Sequence, residues 1–337
     1  MRKFISKTLC LTEVPPIVHL VGPGDLECVG NSIFFQARGE QCLKFDPTHV
    51  KAILLYGDVR VAARSISRLS RTSATLSFLS EGGRRFRGRI SHDHDGTTQF
   101  KKKQIRLLND ESIALRIAKH LVLEKLESIL AAQKRMRRSG LGSVSGAEAA
   151  VRQAKGKVNA AEGRNQLFGI EGRASRRWFE VVRKRLPSEW EFMSRRSRPP
   201  VGPVNALLSF GYTLLHERLL AKILGCGLEP GWGALHALTP GRASLACDLM
   251  EPLRVPFVDR WVLATCRQRV ISPKDFEAAH SGGTKIRRPT MSRVIASFER
   301  HGERHGFEQA LSNQISEFWT WIEEPSGDPT SAAAVSS

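Results

Sequence analysis

Short apolar runs separated by turn residues fill the first 90 or so positions of the chain, which is the pattern of β-strands. Residues 26–29 and 32–36 flank Gly30-Asn31, a dipeptide typical of two-residue hairpins. The apolar run at residues 50–56 suits a buried strand, and residues 74–79 suit another. Between these two runs, the apolar spacing over residues 59–69 predicts one short helix.

From about residue 100 the apolar spacing changes to that of a helix, and it stays so to residue 323. The first predicted helix carries a stripe of apolar residues, namely Leu108, Leu115, Ala118, Val122, Leu126 and Ile129. Further helices are predicted over residues 147–168, 174–186, 203–224, 243–251, 258–267 and 291–323, with a break near Gly302 and Gly306. Residues 281–289 are predicted to form a flexible basic loop, because two glycines precede a run of basic residues.

The fold class predicted from this change of period is α+β. A small N-terminal β-rich domain covers residues 1–95, and a larger all-α domain covers residues 96–324. The last residues, 325–337, are rich in Ser, Ala and Pro, a composition typical of a disordered tail.

Charge narrows the choice of partners. The chain has 52 Lys and Arg against 33 Asp and Glu, a formal net charge of +19. A net positive charge of this size attracts polyanions such as nucleic acid. The basic residues are spread along the chain, which favours a folded basic surface over a basic tail. No apolar run approaches the length of a membrane span, so neither a membrane anchor nor a signal peptide is expected. The six cysteines form no C-x-x-C pair and are interpreted as buried thiols in a reducing cytoplasm.

The stretch 227–260 holds the strongest candidate chemistry. His236 follows a turn, and Asp248 and Glu251 lie three positions apart on the helix predicted to begin at Ala243. Residues at this spacing share a helix face, and carboxylates with a histidine suit Mg²⁺ or Mn²⁺. The alternative is ordinary: helices often expose such carboxylate pairs to solvent, and turns often hold a single histidine.

Glu171, the segment 91–96 and His216 are also candidates for a functional role, and each also has a structural explanation. Glu171 is predicted near the N-terminus of the helix at 174–186, where the helix dipole alone favours an acid. The segment 91–96, Ser-His-Asp-His-Asp-Gly, alternates two histidines with two aspartates but is better explained as an exposed connector than as a metal site. His216 lies within a strongly apolar helix and is expected to be a packing residue.

Three long motifs resemble the CRISPR-associated endonuclease family that acts as the spacer-acquisition integrase. They are LFGIEGRASRRWFE from Leu167, PVNALLSFGYTLL from Pro203, and the stretch from Gly227 that includes GRASLACDLME and PFVDR. The resemblance implies that Glu171, His236 and Glu251 hold Mg²⁺ or Mn²⁺ and that Asp248 completes the catalytic set. It also implies an ion pair between Asp259 and Arg260 that supports the site.

The same resemblance implies a function. The protein would insert foreign DNA fragments as new spacers into a CRISPR array, by attack of a 3′-hydroxyl on repeat DNA. Its partners would be double-stranded DNA, a second copy of the chain, and a small CRISPR-associated adaptation protein, all in a prokaryotic cytoplasm. The N-terminal domain would lie on the dimerisation and partner side. A metal-dependent nuclease acting on branched DNA in repair, or a non-catalytic DNA-binding scaffold, are the alternatives, and the sequence does not separate the nuclease from the integrase because one site serves both.

Overall fold

A computed structural model describes residues 8–10, 16–39, 42–72, 74–83, 86–91, 98–141, 146–279 and 282–324. The segment 92–97, which holds both histidines and both aspartates of the 91–96 motif, and the tail 325–337 lie outside the described residues. The junction of the two predicted domains and the predicted disorder of the tail therefore stay predictions.

Two β-sheets form the N-terminal part. Their strands are β1 (Thr8–Cys10), β2 (Ile17–Val21), β3 (Gly24–Val29), β4 (Ser32–Ala37), β5 (Cys42–Phe45), β6 (Ala52–Tyr56), β7 (Val59–Val61), β8 (Thr75–Leu79) and β9 (Phe86–Ile90). One sheet has the order β1-β5-β4-β3-β7, and the other has the order β2-β6-β8-β9. Helix α1 (Ala63–Leu69) lies between β7 and β8, so the residues predicted as one helix over 59–69 form a strand first and then a helix.

The predicted hairpin is confirmed, because β3 and β4 pair antiparallel with Val29 opposite Ser32. The central strand β6 is buried on both faces, as its unbroken apolar sequence requires. One face packs Ile53 and Leu55 into a core between the two sheets, and the other face joins the core of the helical part. There Tyr56 lies 6.1 Å from Phe210, centroid to centroid.

The C-terminal part is mostly helical. Its elements are α2 (Thr98–Asn109), α3 (Glu111–Met136), α4 (Ala147–Val158), α5 (Arg164–Arg185), α6 (Pro203–Gly225), α7 (Ser244–Leu249), α8 (Arg260–Arg267), β10 (Phe276–Ala278), β11 (Thr284–Ile286), α9 (Arg288–Arg304) and α10 (Phe307–Glu323). A π-helical turn, Arg254–Asp259, leads into α8. The predicted order of a β-rich part followed by a helical part is therefore confirmed.

Helix α6 lies at the centre of the helical part. It is apolar on all sides, and 14 of its residues are buried, which is the pattern of a helix enclosed by other elements. One of its polar residues contacts the N-terminal part: the Ser77 hydroxyl on β8 donates a 2.7 Å hydrogen bond to the buried Glu217 carboxylate. The sheet is thus fixed to the helix through one buried polar contact as well as through apolar packing.

Several predicted boundaries are wrong for identifiable reasons. The first long helix is interrupted at Asp110, whose carboxylate accepts from the backbone N–H groups of Ser112 and Ile113 and caps α3. The helix predicted over 147–168 ends at Val158, and the next one begins at Arg164, ten residues before the predicted start at 174. Within the segment predicted as a loop, residues 284–286 form strand β11, and residues 288 and 289 begin α9.

The cysteine prediction is partly wrong. Cys28, Cys42 and Cys266 are buried free thiols, but Cys226 is exposed and Cys247 is partly exposed. Among the described residues, no helix is long and apolar enough to cross a membrane.

Candidate metal-binding active site

Two of the predicted ligands converge on one lysine. Glu171 lies in the middle of α5, and Glu251 lies in the turn that follows α7. The ammonium group of Lys125, on α3, donates to Oε1 of Glu171 and to Oε2 of Glu251, the second at 2.6 Å. All three side chains are largely buried. The fold therefore brings together two carboxylates that are 80 positions apart in the sequence and places a cation between them.

Each carboxylate has a second partner that fixes its direction. The Ser175 hydroxyl, one turn further along α5, donates to Oε1 of Glu171 at 2.6 Å. The Arg254 guanidinium lies 2.9 Å from Oε1 of Glu251. Each glutamate is thus oriented by its own neighbour, and both share the cation at Lys125.

The charges at this cluster support one another. Burial alone would raise the pKa of Glu251, but Arg254 and Lys125 outweigh it and lower that pKa to about 2. Burial would lower the pKa of Lys125, and the two glutamates more than reverse it, so the ammonium form is held more firmly than in water. The buried pair of Glu251 and Lys125 is therefore ionised at neutral pH.

The other two predicted residues form a second, adjoining pair. Asp248, on α7, is fully buried, and its Oδ1 lies 2.6 Å from Nδ1 of His236. The same carboxylate accepts from the backbone N–H groups of Leu235 and His236 at 2.8 and 2.9 Å. Both of its oxygens are thereby occupied by the protein, which makes Asp248 the residue that orients His236 and leaves Nε2 as the second ring nitrogen.

Close packing holds this histidine in place. The Phe168 ring lies edge-on to His236, with 5.4 Å between centroids. At Gly233, a Cβ atom would come within 2.5 Å of Oδ2 of Asp248. The absence of a side chain at position 233 is therefore what allows the carboxylate to reach under the loop.

The two pairs are coupled electrostatically. The charge of His236 contributes to the lowered pKa of Glu251, although the ligand atoms of Glu171, His236 and Glu251 are not all within 4.8 Å of one another in the described part of the chain. The set that does meet that distance is His120, Glu124 and Glu317, where Nε2 of His120 lies 2.5 Å from Glu317 and 3.7 Å from Glu124. That set joins α3 to α10.

Two sequence interpretations of this region are wrong. Helix α7 ends at Leu249, so Asp248 and Glu251 do not share a helix face: Asp248 faces His236, and Glu251 faces Lys125 and Arg254. Glu171 lies in the third turn of α5, so its position is not explained by the helix dipole.

The predicted ion pair between Asp259 and Arg260 is also absent among the described contacts. Asp259 is buried and accepts from Trp178 Nε1 at 2.6 Å and from the Tyr212 hydroxyl at 2.5 Å. The Tyr212 ring in turn lies under the Arg254 guanidinium, 4.6 Å from its centroid. Asp259 therefore supports the site through a tyrosine.

Sequence reasoning missed Lys125, Arg254 and Tyr212. For Lys125 a signal existed, because it falls beside Leu121, Val122 and Leu126 on the apolar stripe of α3, a position where a charge needs a buried partner. His216 is a packing residue as predicted: its ring is largely buried and lies 3.0 Å from the carboxylate of Glu217.

Comparison with known proteins shows the family to which the chain is similar. The family model described as CRISPR associated protein Cas1 matches residues 18–300. A CRISPR-associated endonuclease Cas1 of Thermus thermophilus is 32% identical over 88% of this chain and 92% of its own length.

Solved structures share the fold. A Cas1 protein from Thermotoga maritima superposes with a TM-score of 0.83 at 21% identity, covering 91% of this chain and 97% of its own. A casposase bound to integration product superposes with a TM-score of 0.81 at 18% identity, covering 96% of this chain and 92% of its own. A chain of a Cas6-RT-Cas1–Cas2 complex also superposes with a TM-score of 0.81, at 22% identity, covering 95% of this chain and 36% of its own.

Proposed function

The chain belongs to the Cas1 family of CRISPR-associated endonucleases, and we propose that it inserts DNA fragments as new spacers into a CRISPR array by attack of a 3′-hydroxyl on repeat DNA. The observation that carries the proposal is the convergence of Glu171 and Glu251 on a single cation beside a histidine oriented by Asp248.

The residues present fit a divalent metal ion. Two carboxylates accept from the same ammonium group, and Nδ1 of His236 is committed to Asp248, which leaves Nε2 as a nitrogen ligand. We assign Glu171, His236 and Glu251 as the residues that would hold Mg²⁺ or Mn²⁺. Bound there, the ion would neutralise charge on the attacked phosphate and on the leaving oxygen.

The residues around the ligands have separate tasks. Asp248 fixes the ring orientation of His236 through three hydrogen bonds. Arg254, held over Tyr212, keeps Glu251 ionised and in place. Strand transfer needs no covalent protein intermediate, because the nucleophile is the hydroxyl of the incoming DNA end. The net charge of +19 supplies affinity for phosphate with little dependence on sequence.

The assembly we propose follows the family. The chain would act as a homodimer on double-stranded prespacer and repeat DNA, together with a small CRISPR-associated adaptation protein, in the prokaryotic cytoplasm. The N-terminal sheets would lie on the dimerisation and partner side. Support for a partner of this kind comes from a chain of similar fold in a complex with Cas2.

The test is a joining assay with variants that replace each proposed ligand by an uncharged amide residue. A DNA end with a free 3′-hydroxyl is incubated with a repeat-containing plasmid, the partner protein and Mn²⁺. Glu171→Gln, His236→Asn and Glu251→Gln should each lower joining by several orders of magnitude, because the metal contributes several kcal/mol to the transition state. Duplex binding in EDTA should change little.

Two results would overturn parts of the proposal. Joining by His236→Asn at the wild-type rate would show that this histidine is not a ligand. A wild-type protein that cuts DNA in this assay and never joins it would be a nuclease of the branched-DNA repair type.

A further inference from the structure

A histidine and two glutamates outside the proposed metal site meet between α3 and the last described helix, α10. They are His120 and Glu124, one turn apart on α3, and Glu317 on α10. In the described part of the chain, they form the one set of three or more His, Cys, Asp or Glu side chains whose ligand atoms all lie within 4.8 Å of one another. We call this set the α3–α10 cluster.

The ligand atoms of the cluster are spaced nearly as they would be around a zinc ion. Nε2 of His120 lies 2.5 Å from Oε1 of Glu317 and 3.7 Å from Oε2 of Glu124. Zinc binds nitrogen and oxygen ligands at about 2.0–2.2 Å in a tetrahedron, which places neighbouring ligand atoms roughly 3.4 Å apart. The first distance would therefore lengthen by roughly 0.9 Å and the second would shorten by roughly 0.3 Å, changes that side-chain rotation can supply.

Neighbouring side chains hold two of these ligands in direction. The buried Gln314 amide, on α10, donates to Oε2 of Glu124 at 3.1 Å. The buried Trp321 ring lies edge-on to the His120 ring, with 6.0 Å between centroids. Contacts that orient the ligands in this way are usual around protein-bound metals. The side chains of His120, Glu124 and Glu317 are 20%, 28% and 31% exposed, so an ion can enter from solvent.

The cluster carries more negative than positive charge. Burial and the charge of Glu317 raise the pKa of Glu124 to about 6, against the opposing effects of His120 and of the Gln314 hydrogen bond. Burial would lower the pKa of His120, but Glu317 and Glu124 outweigh burial and raise it. Even with the imidazole protonated, two ionised carboxylates share one positive charge. A divalent cation bound to the neutral imidazole would balance both carboxylates.

The ligand types favour a transition-metal ion over Mg²⁺. Imidazole nitrogen suits Zn²⁺, whereas Mg²⁺ takes oxygen ligands. One nitrogen and two carboxylate oxygens leave one position of a zinc tetrahedron for water. Glu317 also lies beyond residues 18–300, which the family model matches, so one of the three ligands comes from a part of this chain that the model does not cover.

We propose that His120, Glu124 and Glu317 bind one Zn²⁺ ion, with water as the fourth ligand, and that the ion fastens α10 to α3. Helix α3 also carries Lys125, the next residue after Glu124, whose ammonium group lies between the two glutamates of the proposed metal site. The zinc ion would thus fix the helix that supplies this cation. It takes no part in strand transfer, so the zinc site is independent of the proposed function.

The first test compares the thermal response to Zn²⁺ of three proteins freed of metal with EDTA: wild type, Glu317→Gln and Glu323→Gln. Glu317→Gln removes the ligand that joins the two helices, and Glu323→Gln removes the same charge from an exposed position on the same helix. An ion at 100 times its dissociation constant raises the Tm of a chain of this length by about 4 °C. Zinc bound at other residues contributes equally to all three proteins.

The rise in Tm should therefore be smaller by about 4 °C in Glu317→Gln than in wild type and in Glu323→Gln. Equal responses in the two variants would overturn the assignment of Glu317 as a ligand.

A second measurement follows the ligand atom in the folded wild-type protein, isotopically labelled at histidine and titrated with Zn²⁺. The NMR signals of His120 are those that are absent in His120→Gln. Nε2 of His120 should shift before the signals of His301 and His305, a pair whose rings lie 4.5 Å apart and whose neighbouring arginines repel a cation. Excess Mg²⁺ should not cause this shift.

The competing explanation is an imidazolium group that bridges two glutamates without any metal. If His120 shifts only when His301 and His305 do, the cluster has no more affinity for zinc than an ordinary histidine pair, and the proposal is wrong. Neither measurement uses DNA, so the zinc site stands or fails independently of whether the protein joins DNA ends.

Discussion

Replacing Lys125 by methionine tests the electrostatics of the site most directly. The substitution keeps the length of the aliphatic chain and removes the one cation shared by Glu171 and Glu251. Glu251 would keep Arg254, whereas Glu171 would keep only the Ser175 hydroxyl among its described side-chain partners. Two carboxylates would then face each other across a largely buried space.

The size of the effect follows from this burial. Breaking a buried pair by removing one partner costs about 3–5 kcal/mol. For a chain of 337 residues, an unfolding entropy of about 2.1 cal/mol/K per residue gives roughly 0.7 kcal/mol for each degree of Tm. Lys125→Met should therefore lower Tm by about 4–7 °C in EDTA.

Added Mn²⁺ should reverse the loss. In the wild-type protein an ion must displace the ammonium group from both carboxylates before it can bind, while in the variant it displaces at most one proton shared by the two carboxylates. An ion at 100 times its dissociation constant stabilises by about 2.7 kcal/mol, which is about 4 °C on the same scale. The rise in Tm on adding Mn²⁺ should be larger for Lys125→Met than for wild type, and free Mn²⁺ followed by EPR should show tighter binding.

Lys134→Met is the matched control, because Lys134 lies exposed on the same helix. It should lower Tm little and leave the response to Mn²⁺ as in wild type. The reasoning is refuted if Lys125→Met has the wild-type Tm in EDTA, or if Mn²⁺ stabilises the wild-type protein more than the variant.

Three further predictions concern other parts of the structure. Gly233→Ala would place a Cβ atom 2.5 Å from Oδ2 of Asp248, so joining should fall on the order of 10²-fold, as small misplacements do, while DNA binding in EDTA is kept; joining at the wild-type rate would contradict this. Burial lowers the pKa of His216, but its hydrogen bonds to Cys247 and Glu217 outweigh burial and raise that pKa to about 9. The stabilisation from protonated His216 is therefore complete below the unfolded pKa of 6.5 and is lost as pH rises through 9. The Tm difference between wild type and His216→Gln should shrink over that pH range, and a constant difference would refute the prediction. Limited proteolysis, followed by mass spectrometry, should show the first cuts within residues 90–100 and after residue 324, as the sequence predicts. A product that stays uncut across residues 90–100 would contradict the predicted boundary between the two domains.

The sequence predicts the elements of this fold well where a local pattern decides them. The Gly30-Asn31 hairpin, the buried strand β6 and the apolar helix α6 follow from turn chemistry and periodicity. The breaks at Asp110 and after Val158 were missed, because an apolar stripe continues across a short interruption and conceals the cap.

The site itself could be predicted only in part. The residue types and their motifs predict Glu171, His236, Asp248 and Glu251 as site residues, and the partner of each depends on contacts from distant parts of the chain. Two residues three positions apart, such as Asp248 and Glu251, can lie within one helix or on either side of its end. Here the helix ends at Leu249, between the two carboxylates. Local spacing therefore could not show that Asp248 faces the histidine and Glu251 faces a lysine.

An ammonium group among the expected metal ligands has a physical consequence for the site. Two buried carboxylates with no cation between them would share a proton, since like charges in a low dielectric cannot both remain ionised. With Lys125 and Arg254 in place, the pKa of Glu251 is about 2, so the ligand is already deprotonated. A divalent ion would then displace a cation of the protein and release no proton from Glu251. Titration of Glu251 should therefore contribute little to the pH dependence of metal binding by the wild-type protein between pH 6 and 8. The lysine thus lowers metal affinity through competition and at the same time helps to keep Glu251 in the charged form that the metal requires.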